Sequence, residues 1–179
     1  MALIPNAQDY FSERARDITI KGFVNYGTSL GLNVETIDLR NYSNPTQLKD
    51  ELAVHNLIWA MGGNTFCLRY EMKRSGFEEV IAHLLENGAT YGGDSAGALV
   101  AGVSIQGIES ADNPEFAEEK IDNGLDLVPY VVLPHVDNPE FADVLPAVKA
   151  LHRGKTEIIE LKDSEAVVFN VGDYRIIGS

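Results

Sequence analysis

A serine in a glycine-rich turn is the part of this sequence that most clearly predicts chemistry. Residues 93–97, Gly-Asp-Ser-Ala-Gly, have the G-x-S-x-G pattern, and residues 89–92 before them indicate a short buried strand. Residues 96–101 are small and apolar, which predicts a tightly packed helix start. On a sharp strand-to-helix turn a serine hydroxyl is exposed, and the N–H groups of the helix start can stabilise an oxyanion. The pattern predicts that Ser95 is a nucleophile and that the protein is a hydrolase.

A histidine at the end of a predicted strand is the candidate base for this serine. His135 follows the apolar run 131–133 and Pro134, at the carboxyl end of the strand, where open α/β sheets bind ligands. Its alternative is a loop histidine satisfied by a neighbouring carbonyl. The other three histidines fall within or at the ends of helical patterns, where we expect surface or boundary positions: His55, His83 and His152.

Two turns supply candidate donors for an oxyanion. One donor is the N–H of Ala96, next to the nucleophile, and the other lies in the turn 62–64, Gly-Gly-Asn, which follows a predicted strand at 57–61. Glycines let the backbone approach a ligand closely with its N–H groups exposed. Both turns should leave the same edge of a parallel sheet. The sequence has no G-x-G-x-x-G pattern and no phosphate-loop lysine, which argues against nucleotide binding.

The acid that would orient the imidazole is left open by the residues themselves. Asp163 lies in a turn between two predicted strands, Glu165 follows two residues later, and Asp112 lies in the loop after the nucleophile. Each is equally consistent with a solvated turn carboxylate. The chain order serine, histidine, acid differs from that of α/β-hydrolases and of chymotrypsin-like proteases.

Composition limits the partners that we expect. The chain has 179 residues, for which we predict one domain over residues 1–179, and its formal net charge is −13, from 27 acidic and 14 basic residues. Such a charge repels nucleic acid and anionic membranes, so neither is expected as a partner. No stretch is long enough to span a membrane. One cysteine, Cys67, excludes an internal disulfide and favours a reducing compartment.

Strand-like and helix-like patterns alternate along the chain and predict an α/β fold, with a parallel sheet covered by helices. The first helix is predicted over 9–30, with Phe11, Ala15, Ile18 and Gly22 on one face. A loop over 103–124 is predicted either to wall the active site or to be a surface excursion. The remaining elements are strands at 33–39, 57–61, 127–133, 156–161, 166–170 and 174–177, and helices at 45–55 (capped by Asn44), 65–86 (broken near 75–76) and 139–152.

Three segments together resemble peptidase family S51, the family of peptidase E and cyanophycinase. They are residues 61–66 (Met-Gly-Gly-Asn-Thr-Phe), 91–98 (Tyr-Gly-Gly-Asp-Ser-Ala-Gly-Ala) and 133–135 (Leu-Pro-His). The resemblance spans nearly the whole chain. It implies a three-layer, doubly wound, mostly parallel sheet of the class I glutamine amidotransferase-like (flavodoxin-like) type. It also implies a cytoplasmic location and no metal or cofactor.

The resemblance also implies roles for individual residues. The family's acid is a glutamate in a Leu-Pro-Glu-Gly turn, and residues 161–164 read Leu-Lys-Asp-Ser here. Asp163 therefore takes that position, with Glu165 as the alternative. The other implied roles are nucleophile for Ser95, base for His135, oxyanion donors for Gly63 and Ala96, and substrate binding for Asn64 and Asp112.

Two departures from the family pattern bear on these expectations. Asp94 stands before the serine where peptidase E has a tryptophan, which changes the pocket. The family usually has a β-α unit before the segment that here is Ile4-Pro5-Asn6-Ala7, so we expect the fold without that first unit. A missing unit would expose a sheet edge. The alternatives are a naturally short chain, an edge covered by a second copy in a homodimer, or a truncated chain.

The dipeptidase members of the family cleave peptides with an N-terminal aspartate, so we expect a serine peptidase that acts on small Asp-X peptides. The alternatives are a broader-specificity or cyanophycin-type hydrolase of the same fold, or a catalytically inactive binding protein. An aspartyl substrate needs a cation for its side chain. Arg69, Lys73 and Arg74 are candidates, although we expect each to be solvated on a helix surface.

Overall fold

The described residues group into two compact units. The computed structural model describes residues 1–170 and 172–178. The first unit comprises Met1–Gly97 and Pro114–Ile121, and the second comprises Ala98–Asn113 and the chain from Asp122 onward. The expectation of one domain over residues 1–179 stays a prediction.

Four parallel strands form the sheet of the first unit. They are β1 (Ala2–Ile4), β2 (Glu35–Thr36), β3 (Leu57–Ala60) and β4 (Thr90–Gly93), in the spatial order β2-β1-β3-β4. Ile4 is aligned with Ala60, and Ala60 with Gly93. The carboxyl ends of β1, β3 and β4 therefore lie side by side. The two glycine-rich turns leave the sheet at the same edge, as predicted.

The helices of the first unit follow its strands. They are α1 (Glu13–Ser29), α2 (Pro45–Leu52), α3 (Thr65–Arg74) and α4 (Phe77–Glu86), and α5 (Ala96–Leu99) begins at the end of the unit. The predicted cap of α2 is confirmed, because Asn44 Oδ1 accepts a hydrogen bond of 2.9 Å from Thr46 N–H. The predicted break at 75–76 is also confirmed, since Gly76 separates α3 from α4 with φ of +76°.

The predicted apolar face of α1 is wrong. Ile18 is 62% exposed, whereas the helix buries Ile20 and the charged Arg16. The Arg16 guanidinium forms ion pairs with Asp9 at 2.7 Å and Asp38 at 2.8 Å. A charged side chain can be buried when it is paired. Hydrophobic periodicity within one helix cannot reveal ion-pair partners elsewhere in the chain, so it did not predict this face.

The second unit contains a parallel pair of strands and an antiparallel hairpin. β5 (Val131–Leu133) pairs in parallel with β6 (Ile158–Glu160), and β7 (Glu165–Asn170) pairs with β8 (Asp173–Gly178). The helix α6 (Val144–His152) starts later than predicted, because residues 139–141 form a separate 3₁₀ turn. His152 is buried, 6% exposed, which corrects its predicted surface or boundary position.

The apolar core of each unit surrounds its strands. In the first unit, Leu3 of β1 packs with Ile20 of α1 and with Met61. In the second, Val132 of β5 packs with Ile159 of β6 and with Leu161. Among the described residues, no helix combines the length and the apolarity needed to cross a bilayer.

Candidate active site

Ser95 occupies the sharp turn between β4 and α5. Its φ of +48° lies in the left-handed region, which non-glycine residues rarely adopt. The two flanking glycines permit the turn, since a Cβ on Gly93 would lie 2.8 Å from the Cα of Gly97. The backbone therefore has the strand-to-helix geometry that presents a nucleophilic serine.

A half-buried tyrosine holds this turn in place. The Tyr91 hydroxyl, on β4, donates a hydrogen bond of 2.8 Å to the carbonyl oxygen of Gly97. Burial, and then the negative charge of Asp94, raise the pKa of Tyr91 far above its usual range. The phenol stays neutral at physiological pH and continues to donate.

The turn after β3 is held by the segment that follows β1. Asn64 N–H donates to the Ala7 carbonyl at 2.8 Å, and Gln8 Nε2 donates to the Gly62 carbonyl at 2.5 Å. Gly63 has φ of +135°, and a Cβ there would lie 2.8 Å from the Ala7 carbonyl carbon. Only glycine fits this position without movement of the neighbouring chain.

Two backbone N–H groups in the first unit are available to an oxyanion. The hydrogen bonds of the described backbone include none donated by Gly63 or by Ala96. Ala96 is the first residue of α5, where helix N–H groups have no partner within the helix. Their role as oxyanion donors stays a prediction.

Asp94 joins the two glycine-rich turns. Its Oδ1 accepts a hydrogen bond from the Trp59 indole N–H at 2.8 Å, and its Oδ2 accepts one from Gly62 N–H at 2.9 Å. The sequence identified Asp94 only as a departure from the family pattern and did not single out Trp59. The signal was present in a weak form, because Trp59 lies in one predicted strand, Asp94 comes shortly after another, and a glycine follows each of these strands.

His135 and Asp163 form a hydrogen-bonded pair in the second unit. His135 Nδ1 lies 2.5 Å from Asp163 Oδ1, which places the proton of the neutral imidazole on Nδ1 and leaves Nε2 as the basic nitrogen. The hydrogen bond with His135 lowers the pKa of Asp163; burial opposes this effect, and a hydrogen bond from Asn138 adds to it. The imidazole stacks on Phe141 with ring centres 4.6 Å apart.

Several contacts fix the carboxylate of Asp163 and distinguish it from Glu165. Asn138 Nδ2 donates to Asp163 Oδ2 at 3.1 Å, and Asp163 N–H donates to Asp137 Oδ1 at 2.9 Å. Glu165 Oε2 instead accepts a hydrogen bond of 2.9 Å from Lys162 N–H in its own turn. Of the two candidate acids, the structure brings Asp163 to the histidine.

The two predicted substrate-binding residues have different surroundings. Asn64 is buried, and its Oδ1 caps α3 by accepting a hydrogen bond of 2.9 Å from Cys67 N–H. Asp112 is half-buried in the second unit, and its N–H donates to the Ile108 carbonyl at 3.0 Å. The cap gives Asn64 a structural role. Substrate binding by either residue stays a prediction.

The predicted substrate cations are all paired with carboxylates. Arg69 is buried, so the expectation that it is solvated on a helix surface is wrong. The pairs are Arg69 with Glu78, Lys73 with Glu119 and Arg74 with Glu71. Within residues 1–170 and 172–178, no group of three or more histidine, cysteine or acidic side chains could hold a metal ion.

Comparisons with a family model and with known proteins agree on one family. The model of peptidase family S51 matches residues 1–177. An uncharacterized peptidase of Listeria monocytogenes is 32% identical over 140 residues, which cover 78% of this chain and 68% of that protein. Peptidase E of Haemophilus influenzae is 32% identical over 108 residues, which cover 60% of this chain and 46% of that enzyme.

Solved structures confirm the predicted fold class. A candidate peptidase E from Listeria monocytogenes EGD-e superposes with a TM-score of 0.82 at 26% identity, over 99% of this chain and 85% of that chain. A peptidase from an acI-B1 actinobacterium gives a TM-score of 0.77 at 20% identity, over 100% of this chain and 74% of that one. The second likeness supports the fold alone.

Proposed function

Because this chain belongs to peptidase family S51, we propose that it is a serine peptidase that hydrolyses short peptides, preferentially dipeptides with an N-terminal aspartate. The observation that carries the serine mechanism is the left-handed backbone of Ser95 between Gly93 and Gly97, with its Cβ 3.0 Å from the position of a Cβ added to Gly62. The aspartyl preference is supported by the resemblance to the dipeptidase members of the family.

The proposed reaction proceeds through an acyl-enzyme. Ser95 Oγ attacks the scissile carbonyl carbon, and its proton passes to Nε2 of His135. The C–N bond then breaks, and protonated His135 gives that proton to the departing amine. Water repeats the sequence on the ester, with His135 again as the base, and releases the acid product and free Ser95.

The remaining groups act on charge and orientation. The N–H groups of Gly63 and Ala96 stabilise the tetrahedral oxyanion, a contribution that for one donor is on the order of 100- to 1,000-fold in rate. Asp163 holds the imidazole of His135 in the productive tautomer and stabilises the imidazolium. The cations Arg69, Lys73 and Arg74 are each engaged by a carboxylate, so the proposal assigns none of them to the substrate.

A dipeptide panel tests the proposal. Wild type, Ser95→Ala and Ser43→Ala are compared on Asp-Leu, Ala-Leu and β-aspartyl-leucine; Ser43 is the matched control because it is an exposed serine outside the site. We expect Asp-Leu to be cleaved preferentially. Ser95→Ala should lose on the order of 10³-fold or more in kcat, and Ser43→Ala should match wild type.

The other outcomes point to the alternatives. Cleavage of the β-aspartyl peptide alone would favour a cyanophycin-type hydrolase, and equal cleavage of Asp-Leu and Ala-Leu a broader peptidase. No turnover of any substrate by folded protein would contradict the proposal and favour a binding protein. Activity that survives in Ser95→Ala would contradict the serine mechanism.

The setting of the enzyme is part of the same proposal. The family resemblance and the single cysteine favour the cytoplasm, and the net charge of −13 disfavours nucleic acid and anionic membranes as partners. The homodimer, one of the alternatives that the sequence leaves open, is tested by sedimentation equilibrium, where it would give twice the chain mass of 19.6 kDa. A mass of one chain would contradict it.

A further inference from the structure

The geometry points to Asp94 and Gln8 as positioning residues that together fix the Gly62 turn, so that the N–H of Gly63 is presented to the oxyanion. This inference rests on the proposed function and deepens it. We refer to the pair Asp94 and Gln8 as the Gly62 clamp. Neither residue contacts the reacting atoms in the proposed mechanism.

The clamp holds the two peptide groups on either side of the Gly62 Cα. Asp94 Oδ2 accepts from Gly62 N–H at 2.9 Å and fixes the peptide group before that Cα. Gln8 Nε2 donates to the Gly62 carbonyl at 2.5 Å and fixes the peptide group after it. The Gly62 carbonyl and the Gly63 N–H belong to one planar trans unit and point in opposite directions. Holding the carbonyl therefore sets the direction of the donor.

The clamp also determines which N–H remains for the substrate. Gly62 N–H is consumed by Asp94, and Asn64 N–H by the Ala7 carbonyl. Gly63 is the residue between them, and its N–H donates to none of the described groups. Two of three successive donors in this turn are thus occupied, and the third is directed by its neighbours.

In this chain the residue next to the nucleophile is a carboxylate that uses its two oxygens as separate acceptors. Asp94 accepts from Gly62 N–H on one oxygen and from the Trp59 indole N–H on the other, so the side chain is held from both sides. An asparagine offers one acceptor oxygen, and its NH₂ would face an N–H. Gly62 allows the close approach, because a Cβ there would lie 2.7 Å from Asp94 Oδ2.

Gln8 shows an energetic cost consistent with a positioning role. It is 6% exposed, and its Oε1 is buried without a hydrogen-bond partner among the described residues. A buried acceptor without a partner loses its hydration and gains no hydrogen bond in return, which destabilises the fold. The side chain therefore keeps one strong hydrogen bond to Gly62 at the expense of its other polar atom, which stability alone does not favour.

A negative charge beside the oxyanion site is unfavourable for the developing anion. The benefit of Asp94 must therefore be geometric. The effect of Asp94→Asn on kcat distinguishes a role of its charge from a role of its position. If charge dominates, Asp94→Asn raises kcat. If position dominates, Asp94→Asn lowers kcat because the Gly62 turn loses its restraint.

Kinetics of clamp variants test the inference. Asp94→Asn, Asp94→Glu and Gln8→Leu are compared with wild type on Asp-Leu and on p-nitrophenyl acetate, with Asp50→Asn as the control on an exposed carboxylate of α2. We expect Asp94→Asn and Gln8→Leu to lower kcat about 10- to 100-fold on both compounds. KM should stay within about twofold, since the oxyanion forms only in the transition state. Asp94→Glu should recover part of the loss, because it keeps both acceptors, and Asp50→Asn should match wild type.

Trp59, the one tryptophan of the chain, gives a readout independent of turnover. Its indole N–H resonance should shift in Asp94→Asn and stay in place in Gln8→Leu and Asp50→Asn. An unshifted resonance, a raised kcat, or a raised KM with unchanged kcat in Asp94→Asn would overturn the inference. Wild type that hydrolyses neither compound would instead refute the proposed function on which the inference rests.

Discussion

Two residues of the proposed catalytic set have backbone conformations that cost free energy. Ser95 and His135 have φ of +48° and +66°, and a non-glycine residue in the left-handed region costs on the order of 1–3 kcal/mol. The glycines around Ser95 predict its turn from sequence. His135 instead begins a local turn, in which Asn138 N–H donates to the His135 carbonyl at 3.0 Å, and its side chain is held by a hydrogen bond with Asp163, 28 residues away.

The acid of the site can be identified by a matched pair of substitutions. Asp163→Asn removes the charged partner of His135 and should lower kcat on the order of 10³- to 10⁴-fold, because the imidazole loses its tautomer and its stabilised cation. Glu165→Gln should change kcat by less than about threefold, since its carboxylate contacts Lys162. A larger loss in Glu165→Gln than in Asp163→Asn, in the dipeptide assay, would reverse the assignment.

The turn that carries the oxyanion donor should tolerate no side chain. In Gly63→Ala the new Cβ would meet the Ala7 carbonyl at a position whose φ is +135°. We expect a loss of about 100-fold in kcat, from displacement of one donor, and a fall of about 1–3 kcal/mol in the free energy of unfolding. Urea unfolding and kinetics measure the two effects. Unchanged kcat would exclude the Gly63 N–H from the mechanism.

At the scale of elements, Gly22 in helix α1 provides a control for the Gly63→Ala substitution. Gly22 is exposed within the helix, has ordinary backbone angles, and has nothing within 4 Å of an added Cβ. Gly22→Ala should raise the free energy of unfolding by about 0.5–1 kcal/mol, because alanine loses less backbone entropy in a helix. A decrease in urea unfolding would show that α1 is packed differently there.

An ion-pair network after β1 and β2 should make stability depend on pH. Burial raises the pKa of Asp38, but hydrogen bonds from Arg40 and Asn6, together with the charge of Arg16, hold it well below its ordinary value of 3.8. A lowered folded-state pKa stabilises the protein above the unfolded value, and this contribution is lost as pH falls through the folded value.

Asp38→Asn tests this network. We expect the free energy of unfolding to fall by about 2 kcal/mol at neutral pH, the value of a charged hydrogen bond, and the difference from wild type to shrink as pH is lowered below about 4. Urea unfolding at several pH values measures both. A difference that stays constant down to pH 2 would show that the ionised carboxylate contributes nothing.

The hydrophobic pattern alone identifies those elements whose buried side chains are apolar. β3 and α2 lie where the sequence places them, with Asn44 as the cap of α2. The strand predicted at 33–39 shortens to two residues, and the face of α1 is set by a buried Arg16. The second failure comes from the ion pairs of Arg16 with Asp9 and Asp38, which no local pattern contains.

The candidate site likewise has residues that the local sequence identifies and residues whose role depends on contacts between distant parts of the chain. Ser95, His135 and the glycine turns could be found because each follows a predicted strand and has a residue type suited to chemistry. The choice of Asp163 over Glu165 depends on a hydrogen bond across 28 residues. The Gly62 clamp depends on contacts across three separate strand ends. Side-chain direction, which decides both, is fixed only by the folded backbone.

For the whole molecule, the excess of 27 acidic over 14 basic residues gives a prediction about partners. We expect no measurable binding to a duplex DNA oligonucleotide at physiological salt, because phosphate contacts need clustered cations and this chain repels polyanions. Fluorescence anisotropy with the labelled duplex checks this. Salt-sensitive binding in the micromolar range would contradict the expectation and reveal a basic surface.

The central claim of the proposed mechanism is that Ser95 is a nucleophile activated by His135 as its base. The most direct test is covalent labelling of wild type and of His135→Ala with a fluorophosphonate, followed by peptide mapping. The account predicts one adduct, on Ser95, formed with loss of fluoride, and labelling that is slowed on the order of 10³-fold or more in His135→Ala. Equal labelling of both proteins, an adduct on another residue, or no adduct on folded wild type would contradict the claim that Ser95 is an activated nucleophile.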